Sequence, residues 1–224
     1  MRKIQRLAAV GAMAALTVAL AACGSSTTAS TGTATSAPAA AAPTSAAAAS
    51  DGVTTNADVF GPACGMLPQG NAPGSLNNMG PNPVATAASS NPLLTTLVTA
   101  VKAAGLVDTL NSQKAITVYA PYNDAFAAVK TKLGDTAFNA LLADPTKLGA
   151  VLSYHVVPQR YNAAGLVAAG KTTQLAGGDV TIGGKATAPT LTDGSGQTAT
   201  VLCGNIPTSN ATVFVIDKVL FAKS

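Results

Sequence analysis

Residues 116–126 read ITVYAPYNDAF and carry the clearest local signal in the chain. Ile116 and Val118 suit a short buried strand. Ala120-Pro121 ends it, because proline removes a ladder donor and restricts the residue before it. Asn123 or Asp124 then stands where a helix cap belongs, ahead of an apolar face that includes Phe126 and Val129. A strand feeding a capped helix is a scaffold. It holds no chemistry of its own.

Upstream, residues 84–89 form a candidate helix. Asn91-Pro92 gives a second helix start, with Asn as cap and Pro at the first helical position. Leu94, Leu97, Val98 and Val101 repeat at helical spacing behind it. Downstream, the helix after Asp124 runs to about Lys130, Gly134-Asp135 restarts the chain, and Asp144-Pro145 opens another helix. Val156-Val157 reads as a short strand ended by Pro158. Residues 162–169 read as a small helix stopped by Gly170.

The period then changes from helical to extended. Strands are expected at 172–175, 180–182, 188–191, 198–202, 205–207, 211–216 and 218–221. Gly177-Gly178 and Gly183-Gly184 separate them as hairpin or bulge residues. Within 211–216, Val213 and Val215 face one side, and Phe214 and Ile216 the other. Helices first and strands later predict an α+β domain. At roughly 165 residues it can bury a substantial core.

The N-terminus is different. Arg2, Lys3 and Arg6 precede an uncharged apolar run, 7–20, so residues 1–22 have the form of an export signal. Leu20-Ala21-Ala22-Cys23 resembles a bacterial lipobox. That resemblance implies cleavage before Cys23, a diacylglycerol on its sulfur and an acylated amine. The mature chain would then sit on the outer face of the cell membrane, with partial release compatible. A free thiol and a transmembrane anchor are the alternatives, and the run falls short of the roughly 20 residues a span needs. Residues 23–57 comprise Cys23 and a tether rich in Ala, Ser, Thr and Pro, which cannot offset its ordering entropy. Residues 58–224 form the domain with an N-terminal extension, in which Met66 and Leu67 are expected to pack and 68–83 to wrap as ordered coil.

Charge removes one class of function. Taking away the three basic signal residues leaves ten basic against nine acidic side chains. No basic tract remains to meet a phosphate backbone, so nucleic acid is not an expected partner. Cys64 and Cys203 are the remaining cysteines. In an exported domain they are expected to pair as a disulfide, with two buried thiols as the alternative.

Three stretches together resemble one family. The 116–126 stretch, VLSYHVVP at 151–158 and NATVFVIDKVLF at 210–221 are similar, in order and spacing, to the motifs of fasciclin domains. With the lipobox, tether and paired cysteines, the chain resembles mycobacterial-type fasciclin surface lipoproteins and their secreted antigen relatives. The resemblance implies a seven-stranded antiparallel wedge with several packed helices, and a role in adhesion. No cofactor is expected, and no enzyme activity, because no convergent catalytic set is visible in the sequence. It is compatible with an extracellular protein or host matrix partner, and with an apolar small molecule or envelope lipid as the alternative ligand. Tyr122 departs from the family, which often has threonine there.

The candidate site residues follow. Tyr122, Asn123 and Asp124 form one group, as caps first and an exposed binding group second. Tyr154 and His155 form the other. The first reading of this pair is structural, with His155 bonded to nearby backbone or polar groups and Tyr154 packed; the resemblance links the Tyr-His segment to adhesion, so direct contact is the second reading. His155 is the chain's one histidine. Ser153 beside it lacks a nucleophile elbow, so no catalytic set is visible. No patterned carboxylates surround Asp124, so no metal is expected.

Overall fold

The six residues of Ile116–Pro121 (β1) are all buried, because this strand lies inside a sheet covered on both faces. The computed structural model describes residues 51–223. The signal, the lipidation of Cys23 and the tether as far as Ser50 lie outside them. Ahead of β1 come Leu76–Met79 (α1), Val84–Ser89 (α2), Thr95–Ala103 (α3) and Val107–Ser112 (α4). After it come Asn123–Leu133 (α5), Asp135–Ala143 (α6) and Pro145–Ser153 (α7). Then follow Val156–Val157 (β2), Ala163–Ala169 (α8), Lys171–Thr173 (β3), Asp179–Lys185 (β4), Ala188–Thr192 (β5), Thr198–Pro207 (β6) and Ala211–Ile216 (β7).

The seven strands form one sheet in the order β2-β1-β7-β6-β5-β4-β3. One pairing departs from the antiparallel expectation. β1 and β7 run parallel, in register from Ile116 opposite Ala211 to Pro121 opposite Ile216. Parallel neighbours need a long connection, and α5 to α8 with β2 to β6 lie between these two. Alternation along each strand divides the core in two. Ile116, Val118, Ala120, Val213 and Val215 pack with the helices α2 to α7. Tyr119, Phe214 and Ile216 pack on the other face with α8 and strands β4 to β6.

The predicted strands at 198–202 and 205–207 are one strand, β6, with two bulges. Its register on β7 shifts between Val201 and Cys203, and again between Cys203 and Ile206. Each shift adds a residue on β6 and exchanges its two faces. Val201 therefore packs in one core and Cys203 in the other. Asn205 takes the left-handed conformation at the second bulge, φ 58°. Its amide accepts from Ala163 N at 2.8 Å and donates to Asp58 O at 3.1 Å. Beside it, Gly204 exchanges two backbone hydrogen bonds with Phe60. A Cβ on Gly204 would come within 2.4 Å of the Phe60 ring, so this approach requires glycine.

Cys203 is thereby turned toward Cys64, and the two form a disulfide with their Cα atoms 5.0 Å apart. It ties the entry arm to the sheet across 139 residues. The arm seats earlier than the expected tether boundary at 57. Gly52 O accepts from Thr212 Oγ1 at 2.7 Å, and Thr54 is buried. β7 supplies hydrogen-bonding partners that a Ser/Thr/Ala composition cannot reveal. Among the described residues, both cores, the disulfide and every strand lie in the unit Ala46–Ser224.

Other expectations need correction. Gly183-Gly184 lies inside β4, opposite Thr190 and Pro189, and does not end a strand. Residues 218–221 are not a strand, because their backbone is held by side chains instead of a ladder: Leu220 N donates to His155 Nε2 and Phe221 N to Asp193 Oδ2. Met66 is 63% exposed while Leu67 is buried. α5 continues past Lys130 to Leu133, ending at Gly134 with φ 81°.

Asn210 joins the helical layer to the sheet. It is buried, and its Oδ1 accepts from Val84 N at 2.9 Å at the start of α2. Its Nδ2 donates to Leu110 O at 2.8 Å and Gln113 O at 2.9 Å at the end of α4. Four backbone groups, Asn111 O at 3.3 Å among them, would lose this partner in Asn210→Ala. Each unsatisfied buried group costs about 1–3 kcal/mol. Urea unfolding of Asn210→Ala should show a loss of about 3 kcal/mol or more, and a loss under about 1 kcal/mol would show the site fills with water.

Candidate functional site

Asp144 caps α7 with its carboxylate, accepting from Thr146 N and Lys147 N, and Pro145 sets the first turn. The helix stops at Tyr154, so Tyr154 and His155 leave it on different sides of the sheet edge. Tyr154 is buried in the strand-side core. Its hydroxyl donates to Asp179 O at 2.8 Å and accepts from Gly194 N at 3.0 Å. His155 is 2% exposed. Its Nδ1 lies 2.8 Å from Val151 O, which can only accept, so Nδ1 carries the proton. Nε2 is then the acceptor for Leu220 N at 2.9 Å. Both ring nitrogens are engaged by backbone, and none is left to serve as a general base.

Tyr154 and His155 are both buried. Neither faces solvent. They fasten the end of α7 to the 193–197 turn and to the C-terminal segment. Asp193 completes the fastening: Oδ1 accepts from Ser195 N and Gln197 N, and Oδ2 from Phe221 N. Sequence reasoning passed over Asp193 because its partners come from a distant turn and tail.

At the other motif, Tyr122 takes the N-cap position of α5 in extended conformation, with no side-chain cap bond. Asn123 is the first helical residue and cannot cap its own helix. It caps α3 instead: Oδ1 accepts from Thr96 N at 3.0 Å and from Thr95 Oγ1, while Nδ2 donates to Pro92 O at 2.9 Å. Asp124 is exposed in the first turn of α5, where its charge suits the helix dipole. The Tyr122 ring lies half-buried against the helical core. Burial first, then the charges of Asp124 and Asp217, raise its phenol pKa. Tyr119 is wholly buried, with its hydroxyl 3.1 Å from Thr172 Oγ1.

A feature the sequence did not disclose lies between the helices and the sheet. A cleft of about 200 Å³ opens between α2, α3 and α4 on one side and β1, β2 and the end of α7 on the other. Val84, Ala88, Val98, Val101, Val118 and Val156 give it an apolar lining. Lys102 is the one charged residue on its wall. The periodic Leu97, Val98 and Val101 were legible as an apolar helix face. A face filled by other side chains and a face lining a cleft have the same pattern. Among the described residues, no group of three or more His, Cys, Asp or Glu is placed to hold a metal ion.

The buried histidine makes a pH prediction. Burial pulls the His155 pKa down to about 4, against weaker upward pulls from the Val151 bond and Asp193. The unfolded chain takes this proton near the ordinary value of about 6.5. Its stabilising share is therefore complete above that pH, and is lost as pH falls from about 6.5 to about 4. The linked loss is about 3 kcal/mol. Denaturant midpoints between pH 7 and pH 4 should fall steeply for the native chain. His155→Asn should start less stable at pH 7 and show a flatter slope over the same window.

The geometry has close counterparts. The fasciclin domain model matches residues 92–222. The chain is 39% identical over 170 residues to "Immunogenic protein MPB70" of Mycobacterium bovis, covering 73% of this chain and 82% of that one. It is 37% identical over 171 residues to "Cell surface glycolipoprotein MPT83" of Mycobacterium tuberculosis, covering 73% and 72%. In fold it is similar to the FAS1 domain pair of the insect cell adhesion molecule Fasciclin I. The TM-score there is 0.54 at 16% identity, over 62% of this chain and 51% of that one. A mixed fold with a parallel β1–β7 pair at its centre, a helical layer on one face and this sequence similarity lead to one conclusion: the chain belongs to the fasciclin domain family, alongside mycobacterial surface antigens.

Proposed function

We propose that this protein is a lipid-anchored recognition module of the bacterial envelope, displayed outside the membrane to adhere to or bind a partner. The observation that carries this is its similarity, over most of both chains, to a cell surface glycolipoprotein and an immunogenic protein. Fasciclin relatives of this kind support an adhesion-type envelope module in general. Leu20-Ala21-Ala22-Cys23 supports the anchor. Two or more acyl chains on Cys23 would give stable membrane residence, where a single chain is marginal. An Ala/Ser/Thr/Pro tether beyond it would hold the domain away from the surface.

The partner contacts belong on outward-facing groups, since Tyr154 and His155 are consumed in the core. An extracellular or host matrix protein suits a face such as that of the exposed Asp124 and the half-buried Tyr122 beside it. A second reading has its own support. The apolar cleft is the feature a carrier or sensor of a small apolar molecule would need.

Two measurements test the anchored module. Cys23→Ser should move the protein from the detergent phase to the aqueous phase and into the medium, and unchanged membrane retention would remove the lipid anchor. The Ala46–Ser224 unit should bind intact envelopes or host matrix proteins saturably, with competition by unlabelled protein. Purely linear, uncompeted binding to both would overturn the adhesion reading.

A further inference from the structure

The cleft combines two properties that together select a ligand. Its lining is apolar, and at about 200 Å³ it exceeds the roughly 150 Å³ engineered cavities that stay dry and take up benzene. Water gains little there, because a buried water needs two to four polar partners. The hydroxyls nearest the α2 wall are already engaged: Ser89 Oγ donates to Thr86 O at 2.6 Å, and Thr86 Oγ1 accepts from Asn111 Nδ2 at 3.2 Å.

The second property is the charge. Lys102 on α3 is the one ionised side chain on the wall, and no acidic residue lines the cleft. Lysines 130, 147 and 171 each have an aspartate within 3.3 Å, whereas Lys102 has no carboxylate in ion-pair range among the described residues. Lys102 is exposed, so its stem can lie along the apolar wall while the ammonium stays at the mouth. An apolar slot beside an unpaired cation complements a molecule with an apolar tail and an anionic end.

We propose that the cleft between α2, α3, α4 and β1 binds a single-chain amphiphile, its tail among Val84, Ala88, Val98 and Val101 and its carboxylate at Lys102. The volume takes one tail segment, not the paired tails of a bilayer lipid. This inference rests on reading the cleft as a ligand site and adds the chemical class of the ligand. The same chemistry would come from a free fatty acid or from an acyl chain released from an envelope lipid.

The test uses the Ala46–Ser224 unit with decanoate and decanol, which share a tail and differ in head, followed by titration calorimetry. Both should bind at one per protein. Lys102→Met should weaken decanoate about threefold, in the range of an exposed ion pair, and leave decanol within about 1.5-fold. Ala88→Phe, which fills the slot, should abolish both while the thermal midpoint is kept. Val98→Phe serves the same purpose if Ala88→Phe does not fold. Binding of both ligands, blocked by filling but unmoved by Lys102→Met, would overturn the anionic class and leave the cleft as a ligand site. Absence of binding by either ligand would overturn the ligand site itself. Binding that survives the filling variants would place the amphiphile elsewhere and overturn the proposal. A decanoate affinity that falls with Lys102→Met only in low salt still supports it, since a rim charge is screened.

Discussion

Everything in this domain depends on the parallel pairing of β1 with β7. Every residue of both strands is buried, so the pair has no solvent face. Two consecutive side chains on either strand enter two different cores. The helices α2 to α7 cover one face, and α8 with the β4–β6 strands covers the other. The pair therefore satisfies most of its backbone by neighbouring strands. β2 closes the free side of β1, and β6 closes that of β7. A parallel pair cannot be joined by a hairpin. The long excursion between the two strands builds α5 to α8 and the other five strands, while α1 to α4 precede it.

Buried polar side chains finish what the ladders leave open. Asn210 serves the start of α2 and the end of α4. Arg160 reaches into the β7 entry, donating to Thr208 O and Ala211 O at 2.9 Å and to Thr212 Oγ1 at 3.1 Å. His155, Asp193 and Gln197 hold the tail after β7. In each case a side chain acts as a substitute strand or cap. A buried backbone group without a partner is costly, so these residues stabilise the fold by matching donors to acceptors. This also explains why the Tyr-His motif is internal. Its polar atoms meet backbone needs of the domain before any partner arrives.

Much of the local structure was legible. Asp144-Pro145, Asn91-Pro92 and Asn162 with Gly170 punctuate helices by cap and φ chemistry confined to a few residues. The two-faced alternation of Val213, Phe214, Val215 and Ile216 was equally visible, since side-chain direction has a period of two. Reading failed where a partner far along the chain decides the outcome. Asn123 has the chemistry of a cap, but Tyr122 holds the cap position, so Asn123 turns to α3. Residues 218–221 have the composition of a strand, yet side chains take their hydrogen bonds.

By itself, then, the sequence determined the class of fold, the helix boundaries set by caps and proline, the cysteine pair and the motifs that mark a fasciclin domain. These rest on spacing, composition and local dihedral preference, which are written into neighbouring residues. Only the tertiary structure decided that β1 and β7 are parallel and that two bulges turn Cys203 toward Cys64. It also decided that His155 is enclosed and that an apolar helix face leaves a cleft beside Lys102. Those outcomes are set by which distant surfaces meet and how completely they fill the space between them, and an apolar pattern is the same whether that space is filled or left open.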